Sequence, residues 1–411
     1  MTKLRMDVGT ADPTVHDTEA NAPHDRGRLG VLSVGHFVVD FSVGMLSPML
    51  PAFKRALDLS DFRTSLILAA VTFSSSFIQP LFGMVADRIT ATWFLWAGVG
   101  AAALGMGFAG LATSYWLLLT LIVIGGLGVG AYHPEAARLA NHFAGSRKAS
   151  GVAWFTVGGN IGFALGPLLV ALLITRFDER TTLIVLVPGA IALAVLLANA
   201  RRMHVPVTRA ASHTTARSDV RGMSWLVTAV SLRTWAQFGL MAIVPLYLTA
   251  ERGMSGRQQG LVIFAFVMTG AIGTMVGSPV ADAIGGRPML AGSLLLAAPA
   301  TAGFILTTGA MSVVFLSLAG FMLMASFSAT VVMGQRYMPH RLALAAAWVL
   351  GFGAIGAATP WLPAIGWIAD AHGREMALWI ITAVPVVGAA VAALTPEPRI
   401  LEGNRAARTA G

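Results

Sequence analysis

Twelve apolar stretches, each about as long as a membrane-spanning helix, constrain the fold of this chain more than any other feature of its sequence. A helix needs about 20 residues to cross the hydrocarbon core of a bilayer, and mostly short charged or turn-rich segments separate these stretches. They form two groups of six, near residues 30–52, 63–86, 93–112, 115–140, 149–175 and 181–200, and near 223–250, 258–281, 289–308, 310–335, 342–369 and 376–395. The sequence therefore predicts an all-α integral membrane protein with twelve transmembrane helices in two pseudo-symmetric six-helix bundles.

The composition of the 411-residue chain supports a membrane protein and excludes several other classes. Only 11% of the residues are charged, whereas soluble proteins carry about 25%, and the mean hydropathy is +0.72. A soluble enzyme, a disordered chain and a nucleic-acid-binding protein are therefore excluded. The lack of cysteine excludes disulfides and Cys-ligated metal centres. We expect the lipid bilayer as a partner, and neither nucleic acid nor a cofactor.

Charge and polarity divide the chain into regions. The only long polar stretch between the two groups runs from about residue 201 to residue 222 and contains five arginines. We therefore predict a polar tail at 1–28, a first bundle at 29–200, a basic linker at 201–222, a second bundle at 223–396 and a tail at 397–411. With both termini on one side, that side holds eighteen Lys and Arg residues and the other side eight. Because cytoplasmic loops are the basic ones, both termini and the linker are predicted to be cytoplasmic, in a monomer of the bacterial inner membrane.

The two groups of six also resemble two copies of one sequence. Five positions of the fifth stretch recur 194 residues later in the eleventh, and a second segment recurs at an offset of 195. At the offset of 194, the residues that match are Ala153, Trp154, Gly159, Ile161 and Gly162 in the first half and Ala347, Trp348, Gly353, Ile355 and Gly356 in the second. At the offset of 195, residues 86–89 match residues 281–284. Repeated six-helix halves around a central site are the layout of many secondary transporters.

Four charged residues lie within the predicted spans. They are Asp40 in the first span, Glu135 and Arg138 in the fourth, and Arg233 in the seventh. Each costs roughly 3 kcal/mol at a helix centre on insertion scales, so such residues face a cavity or one another and indicate a transport pathway. Glu135 and Arg138 share a helix face because they are three residues apart, so the acid can stay charged until something displaces the arginine. A buried ion pair that only locks helices together is the alternative.

Histidines accompany these acids. His36 is one helical turn from Asp40, and an imidazole beside a carboxylate suits proton transfer near neutral pH; a histidine bonded only to its helix neighbours is the alternative. We predict proton coupling by Asp40, Glu135, His36 and Arg138. We predict a substrate cavity lined by His133, Asn160, Arg233, Gln237 and Gln79. The segment around His133 is not the His-Glu-x-x-His signature, so no metal site is expected.

Two further groups of residues indicate how helices pack and move. Small residues four positions apart let another helix approach closely, and the fifth span carries such a row, followed by proline, at Gly158, Gly162, Gly166 and Pro167. Packing alone also explains the row. A carboxylate and an arginine at a helix end can hold a neighbouring helix terminus, so a gate or conformational latch is expected at Gly83, Asp87 and Arg88 and, in the second copy, at Asp282 and Arg287.

These motifs resemble those of a known family. The set of spans resembles the major facilitator superfamily, and the Gly83…Asp87-Arg88 and Asp282…Gly285…Arg287 segments are similar to its loop motif. The glycine row resembles the fifth-helix motif of the superfamily's drug antiporters, which implies export. Within the superfamily the chain resembles the fosmidomycin-resistance family over about residues 29–396, through segments at 35–40, 74–83, 133–138, 157–162, 277–282, 325–329 and 368–370. This resemblance implies proton-driven efflux of small antibiotics, without indicating the substrate.

Three functions follow from these observations. The first is an antiporter that exports a small drug-like or organic anionic molecule in exchange for protons by alternating access. The second is proton-coupled uptake of an organic anion, with Arg138 and Arg233 as its ligands. A non-transporting receptor or an intramembrane enzyme is the remote alternative, because no nucleophile–base pair or metal set has the required spacing. The resemblance of the fifth span favours export, and we expect no enzyme activity.

Overall fold

The computed structural model describes residues 25–86, 89–144, 148–205, 218–338, 345, 347–356 and 358–396. Within these residues the chain folds into helices joined by short turns, without any β-strand. Long apolar segments favour helices in a bilayer, because a helix satisfies its backbone N–H and C=O groups within its own segment.

The helices follow the predicted spans in order. The first half consists of Arg26–Gly44 and Leu46–Ala56 (first span), Asp61–Thr72 and Gln79–Ala86 (second), Trp93–Phe108 (third), Tyr115–Phe143 (fourth), Lys148–Phe177 (fifth) and Leu186–Ala198 (sixth). The second half consists of Val220–Ala250 (seventh), Gly256–Ile284 (eighth), Gly286–Leu306 (ninth), Gly309–Ala325 and Phe327–Tyr337 (tenth), Ala358–His372 (eleventh) and Arg374–Leu394 (twelfth). The second and eleventh spans also contain the π-helical segments Phe73–Phe77 and Ala347–Gly356.

The number of spans agrees with the sequence. In the described part of the chain, ten helices are long and apolar enough to cross a membrane, and the first span, bent by 42° between its two helices, makes eleven. The fifth and sixth spans are joined in that count as Trp154–Ala198, because only the 3-10 segment Asp178–Val185 separates them. Separating them gives twelve, and the all-α membrane fold predicted from the sequence is confirmed.

The two halves repeat each other's contacts. The backbone N–H of Asp25 donates to the carbonyl of Phe143 at 3.0 Å, and 194 residues later the N–H of Asp219 donates to the carbonyl of Tyr337 at 2.8 Å. Each aspartate also caps the helix that follows it, because its carboxylate accepts a backbone N–H three residues further on, one of the donors that a helix start leaves free. The repeated contact supports an internal duplication. Because of its cap, the seventh span begins at Val220, inside the linker range expected from hydropathy.

Close packing of the fifth span against the first positions the polar residues of the first half. A Cβ added to Gly158 would overlap the backbone carbonyl of Ser33, and one added to Gly162 would overlap that of Phe37. Gly166 lies equally close to the backbone of the first span about two turns further on. Glycine is needed at these positions because the two backbones are in contact. The packing fixes the rotation of the first span and so the direction of its polar side chains.

The two halves are joined on one side of the molecule. Hydrogen bonds and ion pairs between described residues of the two halves involve the first, second, seventh, eighth, eleventh and twelfth spans, toward the end opposite Asp25 and Asp219. At the end that carries the two aspartate caps, no such bond joins a described residue of one half to a described residue of the other. The polar contacts therefore close one end of the interface between the halves.

Candidate functional site

Two histidines and one aspartate form a polar cluster in the first half. His36 Nε2 lies 3.3 Å from Asp40 Oδ2, and His133 Nε2 lies 3.2 Å from Asp40 Oδ1. His36 and Asp40 are one turn apart on the first span, whereas His133 comes from the fourth. The side chains of Asp40 and His133 are 23% and 25% exposed, so the cluster is accessible. The structure thus joins a residue assigned to the cavity with two residues assigned to proton coupling.

The second nitrogen of each imidazole fixes its tautomer. His36 Nδ1 lies 2.9 Å from the carbonyl oxygen of Phe155, and His133 Nδ1 lies 2.8 Å from that of Val129. A carbonyl oxygen can only accept a hydrogen bond, so each Nδ1 must carry the proton that is donated. When either ring is neutral, its Nε2 therefore has a lone pair and no proton, and that lone pair faces the Asp40 carboxylate.

This geometry makes the cluster a site for protons. Lone pairs of nitrogen and oxygen that face each other at hydrogen-bond distance repel unless a proton lies between them. With a proton in both Nε2–Oδ contacts the three groups carry a net positive charge, with one proton they are neutral, and with none they carry the charge of Asp40. The cluster can therefore take up and release protons, and its net charge changes as it does so.

Packing around the cluster orients its members. The Phe155 ring stacks on the His36 ring with centroids 4.2 Å apart and an angle of 17° between the planes. Gly159, on the fifth span, lies directly against the contact between His36 and Asp40, because an added Cβ would overlap His36 Nε2 and Asp40 Oδ2. The sequence analysis missed this role of Gly159 and recorded only its recurrence in the second half.

Two other titratable side chains near the cluster bond elsewhere. The Tyr132 hydroxyl donates to the backbone carbonyl of Leu32. Glu135 is fully buried, and both of its oxygens accept from Arg138, at 2.9 Å from Nε and 2.7 Å from Nη2. Arg138 also donates to the carbonyl of Val205 at 3.3 Å. Each Glu135 oxygen therefore accepts one hydrogen bond from the guanidinium.

The cluster also has the ligand types of a metal site. His36, Asp40 and His133 each offer one ligand atom, and these atoms lie within 4.8 Å of one another. Two imidazole nitrogens and one carboxylate oxygen suit Zn²⁺, although a closed structural zinc site takes four protein ligands. Within the described residues no fourth His, Cys, Asp or Glu joins the group. Three such ligands are the number that an open zinc site uses, so the absence of a metal from this cluster stays a prediction.

A second charged site lies in the other half. Arg233 is 1% exposed, and its guanidinium carbon lies 5.3 Å from the centroid of the Phe327 ring. Its Nε and Nη1 atoms are buried and have no hydrogen-bond partner, and no carboxylate of the described residues forms an ion pair with it. The structure thus places Arg233 apart from the His36–Asp40–His133 cluster and leaves its charge uncompensated.

The other predicted cavity residues form no recognisable site with these groups. Asn160 is exposed on the fifth span, and Gln79 and Gln237 are partly buried on the second and seventh. No hydrogen bond joins any of the three to Asp40 or Arg233 in the part of the chain that the structure describes. Their place in a cavity stays a prediction.

The latch predicted at the ends of the second and eighth spans is only partly described. Asp87 and Arg88 lie outside the described residues, and Gly83 is partly buried. Asp282 is exposed and Arg287 partly buried, and neither forms an ion pair with another described residue. A latch at these positions stays a prediction.

An ion-pair network that the sequence analysis missed joins the two halves at the other end. Asp61, at the start of the second span, pairs with Lys54 at 2.8 Å and with Arg374 of the twelfth span at 2.7 Å. Arg374 also pairs with Glu251 at 2.8 Å. The Asp370 carboxylate accepts the first two backbone N–H groups of the second span, each at 2.7 Å, where a helix start favours negative charge. We refer to these five residues as the inter-half latch.

Comparison with known proteins gives consistent matches over most of the chain. The model of the Major Facilitator Superfamily matches residues 32–358 and, in a second overlapping match, residues 226–410. The chain is 28% identical over 378 residues to the fosmidomycin resistance protein of Escherichia coli (strain K12), covering 88% of this chain and 91% of that protein. It is also 28% identical over 394 residues to the uncharacterized MFS-type transporter YfnC of Bacillus subtilis (strain 168), covering 90% and 93%.

A solved structure shares the fold. A bacterial homologue of the human lysosomal transporter Spinster, in an inward-facing and occupied conformation, superposes with a TM-score of 0.75 and 15% identity. The match covers 90% of this chain and 96% of that chain. At this identity the likeness shows the arrangement of helices alone.

Proposed function

Because this chain belongs to the Major Facilitator Superfamily, we propose that it is a secondary active transporter that exports a small drug-like or organic anionic molecule in exchange for protons. The two halves would expose a site between them alternately to the two sides of the bacterial inner membrane. Both termini would lie in the cytoplasm, since the larger number of Lys and Arg residues is on their side. The transporter would act as a monomer.

The observation that carries proton coupling is the pair of contacts from His36 and His133 to Asp40. Each contact is short enough for a hydrogen bond. In each, an Asp40 oxygen faces a ring nitrogen that carries no proton when the imidazole is neutral. Protonation therefore creates both contacts and deprotonation breaks them. Because the two histidines lie on different spans, a change in protonation alters how the first and fourth spans are held together, which is the coupling that an antiporter requires.

Glu135 and Arg138 have a different role in this proposal. Their bidentate pair places two opposite charges together in the present conformation. In this proposal a substrate anion or a shift of the spans displaces Arg138, and Glu135 then accepts a proton. Asp40 is therefore the first proton carrier, and Glu135 acts in another state of the cycle.

Export is proposed because of the relative that confers fosmidomycin resistance, as the same alternating site serves either direction. Proton-coupled uptake of an organic anion is the second candidate. The uncompensated charge of Arg233 favours an anionic substrate in either case. Loss or accumulation of labelled fosmidomycin in cells that carry the protein distinguishes export from uptake.

The proposal is tested with the full-length protein in liposomes that contain a pH-sensitive dye. We expect fosmidomycin to produce a proton flux under an imposed pH gradient, and Asp40→Asn to reduce that flux at least about tenfold, because an amide cannot carry the proton. Exchange of labelled fosmidomycin across liposomes without a gradient should persist in Asp40→Asn, which shows that the variant is folded.

Asp178→Asn is the matched control. Asp178 is 67% exposed and has one contact, 3.6 Å from Arg55, so this change should leave the proton flux unaltered. A wild-type flux in Asp40→Asn would contradict the proposed proton site. If fosmidomycin is exchanged by the wild type without any proton flux, the protein transports but is not coupled to protons.

A further inference from the structure

Arg233 has an environment that a structural arginine does not have. Its side chain is almost completely buried, two guanidinium nitrogens have no hydrogen-bond partner, and its contact is the face of the Phe327 ring. The attraction of a cation to an aromatic ring is weaker than the desolvation cost expected for a buried, unpaired charge. The conformation therefore leaves a strong donor group without the anion that would compensate it.

Other arginines of this chain show what a satisfied arginine looks like. Arg252, at the end of the same span, donates from Nε to the Tyr247 hydroxyl at 3.1 Å, and from its two terminal nitrogens to the carbonyls of Thr307 and Ile305 at 3.0 and 2.9 Å. These bonds hold the loop ends of the second half together. Arg233 makes no comparable bond to the described residues, so a similar structural role does not explain it.

Further unpartnered polar groups adjoin Arg233 and Phe327 in sequence. The hydroxyl groups of Thr234, next to Arg233, and of Ser326, next to Phe327, are both buried and have no hydrogen-bond partner. The helix of the tenth span is interrupted at Ser326, between Ala325 and Phe327. Interrupted helices occur in transporters where the backbone lines a binding site. Two further buried hydroxyls without a partner among the described residues therefore lie on the two spans that bring Arg233 and Phe327 together.

Aromatic side chains lie on the same two spans and on the eleventh. Trp235 and Trp361 stack with their ring centroids 5.0 Å apart and their planes within 2°, and Trp361 Nε1 donates to the Trp235 carbonyl at 2.8 Å. Both tryptophans and Phe327 are partly exposed, whereas Arg233 is not. Phe327, the ring that lies against Arg233, is therefore more exposed than the charge it contacts.

The duplication relates this region to the proton site. With the offset of 194 residues, Asp40 corresponds to Thr234 and His133 corresponds to Phe327. Arg233 therefore lies one residue from the position equivalent to Asp40, and its aromatic partner occupies the position of His133. The two halves present groups of opposite charge at equivalent places, an acid with two histidines in the first and an arginine with an aromatic ring in the second.

We propose that Arg233 forms the subsite that binds the anionic group of the transported molecule, a carboxylate, sulfonate or phosphonate attached to an apolar or aromatic body. The planar guanidinium matches the paired oxygens of such a group, and the partly exposed Phe327 ring against it offers a surface for the body. This inference rests on the proposed function, since it names the class of substrate for the same transporter.

Binding of defined probes tests this subsite without a pH gradient. The probes are phenylphosphonate and benzenesulfonate, with benzyl alcohol as a neutral molecule of similar shape, added to the purified full-length protein during thermal unfolding. We expect the two anions to raise the unfolding temperature of the wild type and benzyl alcohol to leave it unchanged. Arg233→Met should weaken anion binding at least about thirtyfold, as expected when one partner of a buried charge pair is removed.

The unliganded variants separate binding from a structural role. Arg233→Met should unfold at about the same or a higher temperature than the wild type, because an apolar side chain replaces an uncompensated buried charge. Arg252→Gln should unfold at a lower temperature and bind the anions as the wild type does. If Arg233→Met does not fold, Arg233→Lys replaces it and should still bind more weakly, since lysine cannot form a bidentate contact.

Three results would overturn the inference. They are unchanged anion binding in the folded Arg233 variants, equal stabilisation of the wild type by benzyl alcohol, and an Arg233-dependent stabilisation by phosphatidylglycerol alone, which would assign the site to a lipid headgroup. Because no proton gradient is used, Arg233-dependent anion binding in a protein without proton flux would support the subsite and contradict the proposed antiport.

Discussion

The Asp40 carboxylate receives one imidazole from its own helix and one from another. The sequence predicted the first pairing, because His36 and Asp40 are four residues apart and share a helix face. It placed His133 in the cavity but not against Asp40, since the rotation of the fourth span relative to the first depends on packing between distant segments. The tautomers could not be predicted either, because they depend on the carbonyl groups of Phe155 and Val129.

Gly159 gives a test of the cluster that leaves its three members in place. A Cβ at this position would overlap His36 Nε2 and Asp40 Oδ2, so both groups must shift in Gly159→Ala and their present contact geometry is disturbed. We expect the variant to lose at least about tenfold of its substrate-dependent proton flux in liposomes, because proton transfer needs hydrogen-bond distance.

Gly30→Ala is the control for Gly159→Ala. Gly30 lies in the first span, and an added Cβ has no atom within 4 Å, so this change should leave the proton flux unaltered. A Gly159→Ala protein with normal flux would show that the contact between His36 and Asp40 is not needed for proton transfer.

At the scale of the helices, hydropathy predicted where the spans lie but not where they bend or break. The first span bends by 42° between Gly44 and Leu46, the second contains a π-helical segment at Phe73–Phe77, and the tenth is interrupted at Ser326. All three places lie inside the apolar stretches predicted as single spans, so the boundaries of those stretches do not mark them. The four-residue spacing of Gly158 and Gly162, in contrast, predicts a close helix contact, since spacing on one helix face is a local property.

Gly162→Ala tests that helix contact. The added Cβ would overlap the backbone carbonyl of Phe37, and backbone cannot move aside as a side chain can. We expect the free energy of unfolding in detergent to fall by about 1–3 kcal/mol, as in other overpacked cores. Gly100→Ala, with no atom within 4 Å of the added Cβ, should be neutral or slightly stabilising. Equal stability of the two variants would contradict the close packing of the first and fifth spans.

At the scale of the whole molecule, the duplication could be predicted and the contacts between the halves could not. The offset of 194 residues recurs in the hydrogen bonds from Asp25 to Phe143 and from Asp219 to Tyr337. The inter-half latch has no such signal, because Asp61 and Arg374 are 313 residues apart and each belongs to the end of a span, where charge is ordinary. Their partnership depends on which end of the molecule is closed.

The latch predicts how a single change shifts the conformational equilibrium. Arg374→Gln removes the contacts to Asp61 and Glu251 and leaves Asp61 paired with Lys54, so the variant should still fold. Losing partly buried pairs between the halves should destabilise the closed end by about 1–3 kcal/mol, which shifts the ratio of closed to open molecules by a factor of about 5 to 160.

Spin-label distances measure this shift directly. The chain contains no cysteine, so cysteines introduced at the exposed positions Arg55 and Met376 are the only labelled sites, one in each half at the latch end. We expect Arg374→Gln to add a population at longer distance. Arg63→Gln removes an exposed arginine at the same end whose guanidinium lies over the Tyr115 ring of its own half, and it should leave the distances unchanged. Unaltered distances in Arg374→Gln would mean that apolar packing, and not the latch, keeps this end closed.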